Sequence, residues 1–148
     1  MAEMAWVLEG RLLVVANTEA PVPPEEWSTC VQDIAAHAKH HWALEPRILV
    51  FTEGGGPDAV QRKAVLEAVP QIRKAKGAVI TNNLLVRGVA TAFSWFTSGF
   101  RVFDPSALAE AVAWLGLHQS EESFAKLAME RVKLELGDDR TRSIPRAG

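Results

Sequence analysis

The stretch that decides the fold is residues 81–117, TNNLLVRGVATAFSWFTSGFRVFDPSALAEAVAWLGL. Its first half follows a short apolar run and begins with Asn82 and Asn83, which are good N-cap residues. Apolar side chains then recur at helical spacing as far as Phe96, and Gly99 ends the pattern. The first half therefore predicts the end of a strand followed by an amphipathic helix.

The second half repeats this order with a different strand and helix. Residues 100–103, FRVF, form a short β-type run. Asp104 and Pro105 then supply an N-cap and a proline at the first helical position, and the amphipathic pattern that follows ends at Gly116. Because strands and helices alternate, the stretch predicts an α/β fold with helices packed on an open sheet.

The chain before this stretch extends the alternation towards the N terminus. Two apolar runs flank Gly10, a spacing typical of a β-hairpin. A helix follows Pro24, and residues 47–51 read as a strand covered on both faces. We expect another helix over 58–69, with an inner face formed by Val60, Ala64 and Ala68. The whole order, ββαβαβαβα, predicts a mixed sheet of about five strands with an N-terminal hairpin.

Three parts of the chain are distinguished by pattern. Residues 1–117 form the α/β domain, and residues 118–136 form an additional C-terminal helix whose apolar side comprises Phe124, Leu127, Ala128 and Val132. This helix is expected to pack on its own domain, with a homodimer contact as the alternative. Residues 137–148 mix charges, proline and glycine, and are expected to be disordered.

Composition excludes several functional classes. The chain has 148 residues, 48% of them hydrophobic, which is enough for a sizeable core. Cys30 is the only cysteine, so no disulfide can form within the chain and a buried core residue is expected. The net charge of −2 and the dispersed basic residues argue against nucleic acid as a partner. With no leader-like start and no apolar run near the length of a bilayer span, we expect a cytoplasmic protein without membrane insertion.

The pattern resembles the STAS family, the domains shared by sulfate transporters and anti-sigma-factor antagonists. More closely, it looks like bacterial single-domain STAS-like proteins, which are related to the antagonists and to lipid-transfer domains. The resemblance covers roughly residues 4–117 and is carried by the hairpin at 7–15, the segment PEEW at 24–27, LVRG at 85–88, SWF at 94–96, FRVF at 100–103 and AVAWL at 111–115. It implies a non-enzymatic regulatory module that binds a protein partner and needs no cofactor.

The resemblance also implies where such a partner would bind. In an α/β sheet, ligands commonly bind at the carboxyl ends of strands, which here precede the loop 52–58 and the segment 82–87. The candidate residues for a partner or an anion are Thr52, Glu53, Gly54, Gly55, Gly56, Asp58, Asn82, Asn83 and Arg87.

Thr52 is the candidate for phosphorylation, because many of the antagonists are switched by phosphorylation in the corresponding loop. The Asp-Ser pair usual in those proteins is absent here. A phosphate on Thr52 would gain from the helix N terminus that follows but would be repelled by Glu53. The alternative reading is a threonine that simply ends a strand.

The glycine triplet 54–56 has two readings. Its backbone N–H groups could hold an anion at a helix N terminus, or the glycines could be a permissive turn. The turn is favoured, because the triplet lacks the Lys-Ser/Thr ending of a P-loop. His37, His40 and His41 supply too few ligands for zinc and read as a solvated helix end, so no metal site is predicted.

No catalytic constellation is present in the sequence, and no catalytic residue is predicted. The rival to partner binding is carriage of an apolar or lipid-like small molecule. Trp95 falls off the apolar stripe of its predicted helix, and Phe100 begins a strand. These two residues are the candidates for lining an apolar ligand site, with core packing of the aromatic set as the alternative.

Overall fold

The computed structural model describes residues 2–83 and 99–145, which form one five-stranded sheet with helices on both faces. The sheet order is β1-β2-β3-β4-β5. The strands are β1 Met4–Glu9, β2 Leu12–Asn17, β3 Arg47–Thr52, β4 Lys76–Ile80 and β5 Phe100–Phe103. Strands β1 and β2 are antiparallel, and every later neighbour is parallel. The predicted α/β fold with a mixed sheet and an N-terminal hairpin is confirmed.

Four described helices divide into two layers, and each layer closes its own core. The helices are α1 Pro24–His41, α2 Ala59–Ala68, α3 Leu108–Leu115 and α4 Gln119–Leu136. Side chains of α1 and α2 share a core with one face of the sheet. Side chains of α3 and α4 share a core with the opposite face. Alternation along each strand explains this division, because successive side chains point to opposite faces.

The predicted inner face of α2 was wrong. Val60 is 78% exposed, Ala64 and Ala68 are also exposed, and Val65 is the buried residue of this helix. The helix begins at a capping box, in which Asp58 accepts a hydrogen bond from the Gln61 amide. Alanines carry little apolar area, so they were a poor guide to the rotation of the helix; the larger Val65 identifies its buried side.

The C-terminal helix α4 packs on its own domain, against β1 and β2. This confirms the expectation for the described chain, although the predicted apolar side was partly wrong. Leu127 is 71% exposed, whereas Ala128 and Val132 are buried as expected. At its start, Arg11 from the hairpin turn forms a two-pronged ion pair with Glu121 at 2.9 and 3.0 Å. This pair fixes the helix to the opposite end of the sheet from the tail.

Residues 137–145 are ordered against the sheet, contrary to the expectation of disorder for 137–148. Thr141, Ser143 and Ile144 are all buried. Ile144 joins the core beneath α4, while Ser143 hydrogen-bonds to the loops at the strand ends. The polar composition of the tail was misleading, because its polar groups find partners within the domain. The helix predicted after Asn83 falls on residues 84–98, outside the described residues.

Among the described residues, no helix has both the length and the apolar character needed to cross a bilayer. Cys30 is buried in the core between α1 and the sheet, as expected.

Candidate functional site

The two loops predicted to form a binding surface do meet at the carboxyl ends of the parallel strands. The side-chain amide of Asn83 donates a hydrogen bond to the Glu53 carbonyl at 3.0 Å. The backbone N–H of Glu53 in turn donates to the Asn17 carbonyl at 3.1 Å. We call this surface the carboxyl edge. Arg87, the remaining residue predicted here, lies outside the described residues.

Thr52 is buried within the carboxyl edge. Its side-chain hydroxyl donates to the Gly55 carbonyl at 2.6 Å and accepts from the Gly54 N–H at 3.1 Å. Only 3% of the residue is exposed. Phosphorylation of Thr52 therefore stays a prediction, and a kinase would have to open the loop before reaching the hydroxyl.

The glycine triplet packs closely against the chain that follows β2. The Gly55 N–H donates to the Thr18 carbonyl at 2.9 Å. A Cβ at Gly55 would lie 2.3 Å from that oxygen and 2.2 Å from the Ala20 carbonyl oxygen. Asp58 then caps α2 through Gln61. These contacts give the triplet and the aspartate structural roles, in keeping with the turn favoured from sequence.

The C-terminal tail covers the carboxyl edge. The hydroxyl of Ser143 lies 3.0 Å from the Thr52 carbonyl and 3.1 Å from Asn82 Oδ1, and it accepts from the Asn82 N–H at 3.1 Å. The N–H of Ser143 donates to Glu53 Oε2 at 2.6 Å. Ser143 is fully buried. The tail thus occupies polar groups that sequence reasoning had assigned to a partner.

A second contact holds the tail from the side of β1. The Glu3 carboxylate accepts hydrogen bonds from the Thr18 hydroxyl and from Arg140 Nη2, the latter at 2.6 Å. The Thr18 hydrogen bond is the main cause of a lowered pKa for Glu3, and the Arg140 guanidinium lowers it further. A polar groove of about 610 Å³ lies beside these contacts, and its lining mixes acids with Arg140 and Arg142.

A different feature lies on the α1/α2 face of the sheet, where an apolar cavity of about 90 Å³ remains open. Three cross-strand pairs of β2 and β3 form its floor, and they are Leu13 with Ile48, Val15 with Val50, and Asn17 with Thr52. Each pair is two residues further along the strands, so all six side chains share one face. The floor is therefore apolar over two layers and polar in the third, at the carboxyl ends.

The roof of the cavity comes from the helices. Its described lining above the floor includes Trp27, Cys30 and Ile34 from α1 together with Arg62 and Val65 from α2. Burial, with a smaller contribution from the charge of Asp33, raises the pKa of Cys30 to about 12. The thiol is consequently protonated at neutral pH and acts as an apolar wall rather than a nucleophile.

Phe100 lines the cavity, as predicted for an apolar-ligand residue, because the strand beside it carries a glycine. Gly77 pairs with Phe100 in the register of β4 and β5. A Cβ at Gly77 would lie 2.5 Å from the Phe100 ring. The missing side chain lets the ring lie across β4 and form one wall. Trp95, the other predicted apolar-ligand residue, lies outside the described residues.

Asn17 is the residue that sequence reasoning missed. It is 4% exposed, lines the cavity, and its side-chain Oδ1 has no hydrogen-bond partner among the described residues. A signal was present, because Leu13, Val15 and Asn17 alternate along one strand and place an amide in line with two core residues. The hairpin predicted from the sequence ends at Val15, two residues before Asn17.

The histidine cluster has local contacts of its own. The rings of His37 and His41 stack with centroids 4.3 Å apart, and His37 Nε2 lies 2.7 Å from the Gly10 carbonyl oxygen. Within residues 2–83 and 99–145, no group of three or more histidine, cysteine or acidic side chains is arranged to hold a metal ion.

Comparison of the chain with protein-family models, curated proteins and solved structures finds no match. The resemblance to the STAS family therefore stays a prediction that depends on the sequence pattern.

Proposed function

We propose that this protein is a non-enzymatic binding protein that holds a small apolar molecule between the sheet and helices α1 and α2. The observation that carries the proposal is the cavity of about 90 Å³ within the core that α1 and α2 form with the sheet. Interiors of folded proteins leave few voids larger than a water molecule, and an apolar cavity that does remain can bind a small apolar molecule.

The volume limits the size of the occupant. An engineered cavity of about 150 Å³ binds benzene, which corresponds to roughly 25 Å³ for each carbon atom. By that measure the 90 Å³ cavity has room for about four non-hydrogen atoms. An acyl chain of about 16 carbon atoms would need roughly 400 Å³. The proposed ligand is therefore a small molecule and not a lipid chain.

The test uses one cavity-filling variant and one matched control. Val50 lines the cavity, while the adjacent Leu49 is buried in the core on the opposite face. Val50→Phe is expected to fill the cavity, and Leu49→Phe makes a similar enlargement away from it. Xenon binding, followed by ¹²⁹Xe NMR, should be strong in the natural chain, retained in Leu49→Phe and lost in Val50→Phe.

The natural ligand can be identified by comparing the same three proteins: the natural chain, Leu49→Phe and Val50→Phe. Volatile and solvent-extractable molecules from protein purified from its own cells would be identified by mass spectrometry. We expect one small apolar compound with the natural chain and with Leu49→Phe, and none with Val50→Phe. Failure of xenon to bind, together with identical extracts from all three proteins, would contradict the proposal.

A second candidate function is regulation through a protein partner at the carboxyl edge, as the resemblance to anti-sigma-factor antagonists implies. The polar groove of about 610 Å³ beside Glu53 and Asn82 favours it. A photo-crosslinking amino acid at Glu19, which lines the groove, should capture a partner in the protein's own cells. The same amino acid at the exposed Leu44 is the control. Equal products from both positions would contradict this candidate, and a product of twice the chain mass would identify the partner as a second copy.

A further inference from the structure

We infer that the molecule held in the cavity is a small neutral alcohol that donates its hydroxyl hydrogen to Asn17 Oδ1. This inference rests on the proposed cavity function and specifies the chemistry of the ligand. The position follows from the sheet register, since Asn17 continues the apolar floor residues Leu13 and Val15 at the carboxyl end of β2. From Leu13 to Asn17 the floor extends about 13 Å at roughly 3.3 Å for each residue.

The energetic argument concerns the side-chain oxygen of Asn17. This atom is buried and has no hydrogen-bond partner among the described residues. Buried polar atoms in native proteins are almost always paired, because an unpaired one has lost its hydrogen bonds to water without replacement. A ligand that brings a donor to this oxygen regains that lost interaction, whereas a purely apolar ligand does not.

Thr52, the other polar residue of this layer, does not compete for the same donor. Its hydroxyl already donates to the Gly55 carbonyl and accepts from the Gly54 N–H. The two polar residues of this layer therefore differ. Thr52 is satisfied by its own loop, whereas Asn17, which also lines the cavity, has a buried side-chain oxygen with no partner among the described residues.

Charge on the lining selects a neutral donor. Arg62 is the charged side chain among the described lining residues, and its Nη1 donates to the Pro57 carbonyl at 2.9 Å. A protonated amine would be repelled by this guanidinium and would find no carboxylate among the described lining residues. Burying an unpaired charge is far more costly than burying a hydroxyl. An alcohol therefore fits better than an ammonium group.

The test compares two probes of similar shape. 1-Propanol carries a hydroxyl donor, and 1-chloropropane places a chlorine atom at the same position. Both are titrated into the natural chain and into Asn17→Leu, which exchanges the amide for an apolar group of similar size. The dissociation constants are measured by NMR. We expect the ratio of 1-propanol to 1-chloropropane affinity to fall about tenfold in Asn17→Leu, the usual effect of one neutral hydrogen bond.

A measurement on the natural chain covers the case in which Asn17→Leu does not fold. The side-chain amide resonance of Asn17 should shift with 1-propanol and remain nearly unchanged with 1-chloropropane. Binding of both probes with equal Asn17 shifts, or an affinity ratio unaltered by Asn17→Leu, would overturn the inference while leaving the cavity function intact. If neither probe nor xenon binds, the cavity function itself fails and the inference fails with it.

Discussion

The carboxyl edge and the cavity lie on either side of the polar layer formed by Asn17 and Thr52. They differ in whether their polar groups have hydrogen-bond partners. At the edge, Ser143 of the tail makes contacts with Thr52, Asn82 and Glu53. In the cavity, Asn17 Oδ1 has no partner among the described residues. Residues predicted to bind a partner are thus in contact with the chain's own tail, while Asn17, which was not predicted as a site residue, has a buried acceptor without a partner among the described residues.

This difference teaches that a strand's carboxyl end is only a provisional guide to a binding site. Polar residues gather there because strands end and loops begin, and a tail can then satisfy them within the domain. The more specific indication is a buried polar atom that the fold leaves unsatisfied, next to space that a ligand would fill.

The largest loss of stability is expected when a side chain is added to the glycine loop at the carboxyl edge, where the loop packs against neighbouring backbone. Gly55→Val places a Cβ 2.2 Å from a backbone oxygen that cannot move aside easily. We expect the free energy of unfolding, measured in urea, to fall by about 3 kcal/mol.

Gly116→Ala is the control for this change. Gly116 has φ 67° and open space around it, so the variant should lose only about 1 kcal/mol through backbone strain. Equal losses for the two variants would show that the close contact at Gly55 has no energetic weight.

The next largest effect tests whether the carboxyl edge contributes to stability without affecting binding in the cavity. Ser143→Ala removes the hydroxyl that Thr52 and Asn82 share, and the free energy of unfolding should fall by about 1 to 2 kcal/mol. 1-Propanol binding should be unchanged, because Ser143 is not among the described residues that line the cavity.

Ser123→Ala is the matched control for Ser143→Ala, since Ser123 is an exposed serine on α4 whose hydroxyl bonds only its own helix backbone among the described residues. Its effect on unfolding should stay within about 0.5 kcal/mol. Loss of 1-propanol binding in Ser143→Ala would mean that the two regions are not independent.

A smaller effect is expected from moving one wall of the cavity. Gly77→Ala would push the Phe100 ring out of its place across β4. 1-Propanol affinity, measured by NMR titration, should fall by about tenfold, equivalent to roughly 1.4 kcal/mol. Adding Phe100→Leu should restore part of the affinity by making room for the new methyl group. If the single variant binds as the natural chain does, Phe100 is not a wall of the ligand site.

The smallest effect concerns pH. The Thr18 hydroxyl and then Arg140 lower the pKa of Glu3 below its ordinary value of 4.5. A carboxyl group with a lowered pKa contributes its stability above the unfolded-state value, and that contribution is lost as the pH falls through the folded-state value. Below pH 4.5 we therefore expect the tail contacts at Arg140 to weaken progressively, observed as NMR shifts of Arg140 and Thr18.

The same titration provides its own control at the other end of α4. Hydrogen bonding to Arg11 lowers the pKa of Glu121 to about 2, so that ion pair should persist to more acidic pH. No acidic or histidine side chain occurs among the described residues that line the cavity, and 1-propanol affinity should remain constant over the first part of the titration. Simultaneous changes at Arg140, Glu121 and the cavity would indicate general unfolding instead.

Sequence reasoning predicted the fold well because periodicity and caps report on local structure. The strand predicted over 47–51 is observed as Arg47–Thr52, and the glycine stop predicted at Gly116 coincides with the C-cap of α3. It failed for α2, where small alanines gave the wrong rotation, and for the tail, whose order depends on long-range hydrogen bonds. Such contacts have no period in the sequence and appear only when distant segments meet.

For the candidate site, the proximity of Glu53 to Asn83 and the place of Phe100 were predictable, since strand ends and strand starts were correctly located. The coverage by Ser143 and the unpaired oxygen of Asn17 were not. Both depend on which polar groups find partners in three dimensions, a property that residue type alone does not determine.

The most direct measurement is a high-resolution crystal structure of the natural chain grown with 1-propanol. The account predicts the alcohol in the cavity, with its oxygen about 2.8 Å from Asn17 Oδ1, and Ser143 still in contact with Asn82 at the carboxyl edge. An empty cavity, with 1-propanol bound at the carboxyl edge and the tail displaced from Asn82, would contradict it.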